Sequence, residues 1–129
     1  MKNSLVAAAL AVTLVTAADV SAQNPQATER NVIMRRKLEH SQKILEGLAI
    51  EDFEMVRQNA KVMNTFSQLE KWYHADDRQY RAQLNIFLYA NDEIARMAEA
   101  KNLEGASLAY TQLTLSCVNC HKHIRAQKK

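Results

Sequence analysis

Glycine and proline are scarce in this chain: two glycines and one proline in 129 residues. Pro25 lies ahead of the core segment, so little in the sequence tells the backbone to stop or turn. A chain this poor in breakers is expected to form long helices joined by short turns. Past the N-terminal segment there is no convincing apolar–polar alternation of the kind a half-buried strand would show. Internal repeats and low-complexity tracts are also missing. Charge of one sign is lacking as well. The excess of 17 Lys and Arg over 14 Asp and Glu is too small for wholesale nucleic-acid binding, and no basic–aromatic interleaving suggests such a surface. No serine–histidine–acid set, carboxylate pair or phosphate loop stands out, so nothing supports hydrolase or transferase chemistry. The chain does not read as an enzyme.

The one long apolar run, Leu5 to Thr16, falls well short of the roughly 20 residues a membrane-spanning helix needs. Lys2 precedes it and the small-x-small triad Val20-Ser21-Ala22 follows. This is the layout of a cleaved secretory signal peptide over residues 1–22, with Gln23 the first mature residue. No cysteine near the cleavage site offers a thiol to a lipid. The expected product is one periplasmic domain, residues 23–129, without stable membrane insertion.

Cysteine is scarce too, and its two copies stand together in Cys117-Val118-Asn119-Cys120-His121. C-x-x-C-H is the attachment signature of c-type haem. Two thiols add to the porphyrin vinyl groups, and the next histidine takes an axial position on the iron. Other chemistries fit the letters less well. A helix-end disulfide or two free thiols would need no histidine, and a thioredoxin-like dithiol should follow a strand. A metal module built from Cys117, Cys120, His121 and His123 has no second cysteine pair to make a structural zinc site.

Four helical patterns follow Pro25. The first carries Met34, Leu38, Ser41, Leu45 and Leu48 inward, with Gly47 a candidate cap at its end. The second opens at Glu51-Asp52, acidic residues suited to a helix N-terminus, and buries Phe53, Val56, Ala60 and Met63, with Phe66 extending it. Tyr73 to Asp76 turns the chain. The third pattern runs through Tyr80, Leu84, Phe87, Leu88, Asn91, Ile94 and Ala98. Asn102 to Gly105 reads as the next turn, and the fourth helix aligns Ala106, Tyr110, Leu113, Cys117, Cys120, His121 and Ile124. His40 falls off the main stripe of the first helix and reads as a surface residue, as do His74 and His123. Trp72 and Tyr73 are expected to plug one end. The expected fold is all-α, an antiparallel up-down-up-down four-helix bundle. In it Met34 and His121 each lie roughly 10 Å from the same bundle end, at 1.5 Å per residue, so a haem fits between them.

The C-x-x-C-H near the C-terminus, the export signal and the four helical patterns together resemble the class II c-type cytochromes, the cytochrome c prime group and its low-spin relatives. The resemblance covers essentially the whole mature chain. It implies one covalent haem c on Cys117 and Cys120, with His121 as proximal iron ligand. It places Arg125, four residues on, where the family carries a basic residue beside the haem. Ile124 stands where an aromatic residue is common. Met34 falls at the family's distal position about two turns into the first helix, where a methionine ligand gives six-coordinate iron suited to electron transfer. A non-coordinating residue there gives five-coordinate iron that binds small gases such as NO and CO. The expectation is therefore an exported one-electron carrier with His/Met iron, the gas-binding protein being the alternative. The family also forms homodimers, but this chain is shorter than typical members, mainly between the second and third helices, which leaves the dimer contacts and the shape of the distal pocket open. Arg30, Arg35, Arg36, Lys37, Lys122, Arg125, Lys128 and Lys129 gather at the expected haem end and suit an acidic redox partner protein.

Overall fold

The computed structural model describes residues 25–70 and 75–127. Among the described residues there are four helices and no strand: α1 (Pro25–Ala49), α2 (Phe53–Leu69), α3 (Arg78–Glu99) and α4 (Leu103–Ala126). The expected signal segment, Trp72, Tyr73, His74, Lys128 and Lys129 lie outside the described residues.

Three helices begin on a side-chain cap. Asp52 accepts from the Met55 N–H, Asp77 from the Tyr80 N–H and Asn102 from the Gly105 N–H, each at 2.9 Å. Each cap satisfies one of the N–H groups that a helix start leaves without an intrahelical partner. The expected turn from Asn102 to Gly105 is thereby corrected: Asn102 is the cap, and Gly105 already belongs to the first turn of α4.

Gly47 is also placed differently from expectation. It lies within α1, buried, and the left-handed residue that closes this helix is Glu51, at φ 57°. Around it the Asp52 N–H reaches back to the Gly47 carbonyl at 2.8 Å. Lys101, at φ 53°, closes α3 in the same way, with the Asn102 N–H donating to the Met97 carbonyl at 2.9 Å. Both are Schellman-type endings built without glycine at the left-handed position. Gly47 serves close approach instead. A Cβ there would lie 2.8 Å from Val56 Cγ2 and 3.1 Å from the Asp52 carbonyl oxygen. Gly47→Ala is expected to destabilise the fold by about 1–2 kcal/mol, overpacking outweighing alanine's better helix propensity. Thermal melting of the two proteins checks this.

Contacts between helices fix their directions. Lys37, halfway along α1, meets Glu70 at the end of α2, and Asp77 at the start of α3 meets His123 late in α4. One turn further along α1, Ser41 meets Tyr110 in the first half of α4 through their hydroxyls at 3.1 Å. Sequence neighbours therefore run antiparallel, as in a four-helix bundle. α2 and α3 bury Val56, Ala60, Met63, Phe87, Ala90 and Ile94 between them, with Ile44 from α1 and Leu113 from α4 completing the core. Fully burying an aliphatic side chain of this size contributes roughly 1.5–3 kcal/mol.

α1 is rotated from the expected stripe. Its buried residues are Ile33, Lys37, Ile44, Gly47 and Leu48, while Leu38 and Leu45 are each 53% exposed. The cause is uneven packing. α1 rests along α2 but meets α4 only sparsely, and the Met34–Leu38–Ser41 edge faces the opening left between α1 and α4.

Candidate functional site

That opening is a cavity of about 600 Å³, a size typical of small-molecule and cofactor sites. From α1 its wall receives Met34, Lys37, Leu38 and Ser41, and from α4 Ser116, Cys117, Cys120 and His121. Met63 and Glu70 close one side, and Tyr80, Gln83, Leu84 and Phe87 of α3 close another. The helical period explains the α4 contribution. Leu113 and Ser116 are buried, and the same face continues outward through Cys117, Cys120 and His121, three and four residues on.

Four sequence-predicted residues thus meet in one cavity: Met34, Cys117, Cys120 and His121. Met34 and both cysteines are half-buried and His121 is exposed at the mouth. The cysteines are not bonded to each other. Burial pushes both thiols above their ordinary value, with the Lys37 ammonium pulling the other way. Thiols held neutral are poor nucleophiles and poor disulfide-exchange groups. The His121 imidazole, the two cysteine sulfurs and the Met34 and Met63 thioethers are the wall's transition-metal donor types, and no group of three or more His, Cys, Asp or Glu among the described residues is placed to hold a metal ion by itself.

Arg125, also predicted as a site residue, is exposed one turn beyond His121 and is not part of the cavity wall. Two histidines differ from expectation. His40 is half-buried between α1 and α2, where its Nδ1 is 2.7 Å from Asn59 Oδ1 and its ring lies 5.7 Å from that of Phe66. His123 is half-buried as well, its Nε2 2.8 Å from Asp77 Oδ2, and it does not line the cavity. Both partners are distant in sequence, which is why helix periodicity does not announce them.

Asp77 ties the cavity end together. Besides capping α3 it receives a hydrogen bond from the Gln127 side-chain amide at 2.6 Å. The Tyr80 backbone N–H, then the His123 and Gln127 side chains, hold its carboxyl well below the usual carboxylate range. A depressed native pKa contributes stability above the unfolded value of about 3.9, and that contribution is lost as pH falls below it. Urea midpoints measured from about pH 6 to about pH 2 should therefore fall more steeply for the wild type than for Asp77→Asn.

The residues least legible in the sequence are Lys37 and Glu70. Lys37, expected among the exposed basic groups, is buried, its ammonium 2.7 Å from Glu70 Oε2 and 3.9 Å from the centroid of the Phe87 ring. Glu70 is 2% exposed. The available signal was Lys37's place one turn after Ile33 and seven residues before Ile44, on the face that α1 buries. The other basic groups differ among themselves: Arg36 pairs with Glu39, while Arg35, Lys122 and Arg125 are exposed.

None of the helices among the described residues is long and apolar enough to cross a membrane. Comparison of the chain with known protein families, with characterised proteins and with solved structures finds no match.

Proposed function

We propose that the protein is an exported monohaem cytochrome of the class II c type that carries single electrons. In this reading Cys117 and Cys120 hold haem c, His121 is the proximal iron ligand and Met34 the distal one. The observation that supports it best is the meeting of these four side chains, from the first and last helices, in one cavity of cofactor size. The residues present suit the group. Two unbonded thiols three residues apart are available as tethers, an imidazole follows directly, and Met63, Leu84 and Phe87 give the cavity an apolar lining.

Bound haem supplies a one-electron iron couple whose potential is raised by thioether and imidazole ligation. Everything else is the chain's own work. Thioether links from Cys117 and Cys120 would fix the group to α4, and the adjacent position of His121 would set which face it presents. Met34 approaches from α1, so ligation would close the gap where the two helices barely touch. With the group bound, buried Leu84 and Phe87 would keep water from the inner wall and lower the local dielectric constant. Electron transfer requires no acid or base at the site. Exposed Arg35 at the cavity mouth, with exposed Lys122 and Arg125 on the last turns of α4, supports a redox partner with an acidic docking face.

The test is a potentiometric titration of the mature holoprotein followed by exposure of the reduced form to carbon monoxide. A reversible one-electron couple with no carbon monoxide binding is expected. Rapid carbon monoxide binding would replace the carrier with the gas-binding reading.

A further inference from the structure

Among the described residues the only buried charged side chains are Lys37 and Glu70, and both stand in the wall of the cavity. Only one carboxylate oxygen of Glu70 meets the ammonium. The other, Oε1, is buried with no hydrogen-bond partner among the described residues. The same is true of Gln83 Oε1 in the same wall. Lys37 is held against the face of the Phe87 ring, itself a wall residue, with its ammonium largely out of solvent.

Such a pair is a weak device for stability. The lost hydration of two ions offsets most of their attraction, and apolar replacements are often as stable or more so. Its stronger effect falls on a neighbour whose charge changes. A unit charge in a cavity wall acts through an effective dielectric constant of about 20 rather than 80, and salt screens it far less than a surface charge. The half-satisfied Glu70 carboxylate leaves part of its field uncancelled by local hydrogen bonds.

We propose that the Lys37–Glu70 pair sets the reduction potential of the redox group in this cavity, Lys37 favouring the reduced form and Glu70 the oxidised form. The proposal rests on the haem reading of the cavity. One electron, delivered by a donor protein, lowers the net charge of the site by one unit, and no bond forms or breaks. Both side chains act through the field at the redox centre, so both are positioning residues for charge.

The experiment measures midpoint potentials of the holoprotein for the wild type, Glu70→Gln, Lys37→Gln and the double variant, with thermal melting in parallel. Glutamine at position 70 keeps an acceptor for Lys37 and nearly the same volume. Glu70→Gln is expected to favour reduction at least tenfold, about 59 mV upward for a one-electron couple. Lys37→Gln is expected to shift the potential downward, and the double variant to return close to the wild type. If one single variant fails to fold, the other carries the test through its own sign. Shifts of the same sign, or below twofold in the reduction equilibrium, overturn the proposal while leaving the haem reading intact. So does a fall in melting temperature with the potential unmoved, the outcome of a purely structural pair. A wild type that matures without attached haem overturns the haem reading and this proposal with it.

Discussion

Matured alongside the wild type by haem-attachment machinery, the double variant Cys117→Ser/Cys120→Ser will keep no haem through denaturing extraction, whereas the wild type will keep one per chain. The effect is all-or-none because a thioether bond survives unfolding and axial ligation does not. Both thiols are unbonded and half-buried on the cavity face of α4, so each can serve as a tether without leaving its helical position. Serine replaces sulfur with a smaller oxygen at two positions outside the fully buried core, so the helix content of the variant should match the wild type. Each single variant should retain haem through one remaining link, in lower yield. Haem that stays with the denatured double variant would show that the tethers are elsewhere.

Met34→Ala should convert a low-spin protein into a high-spin one whose reduced form binds carbon monoxide. Met34 is half-buried and faces the cavity from α1, which meets α4 only sparsely. Under the haem reading, its truncation would remove a donor to the iron more than it opens the core. The stability cost should fall below the 2–5 kcal/mol of a fully buried Met→Ala change. The midpoint potential should drop as thioether ligation is lost. An unchanged optical spectrum would assign Met34 to packing and turn attention to Met63, the other methionine in the cavity wall.

How much of this was legible in the sequence depended on how many sides each helix packs. α3 lies against both α2 and α4, so it has one broad apolar face, and Tyr80, Leu84, Phe87, Asn91, Ile94 and Ala98 are buried where periodicity places them. α1 has a face toward α2 and an edge toward the cavity. The stripe through Met34 and Leu38 is the cavity edge, while the buried face runs through Ile33, Lys37 and Ile44. A lysine on that face interrupts the apolar pattern, and its partner Glu70 is 33 residues away. No local rule joins the two. The turns were obscure for a different reason, because Glu51 and Lys101 take the left-handed positions where glycine is the usual signal. Asn102 shows how cap and turn can be confused: its side chain starts α4, so the glycine three residues later is already helical. The shared placement of Cys117, Cys120 and His121 was legible because it is local. The three side chains fall on one face of a helix through spacing alone.

The central claim, that this cavity is built around a haem joined to Cys117 and Cys120, is tested most directly by the intact mass of the mature protein under denaturing conditions. The account predicts the mass of the chain plus one haem, with the addition confined to the peptide containing Cys117 to His121. The mass of the bare chain with two alkylatable thiols, obtained under conditions that mature a control c-type cytochrome, would contradict it.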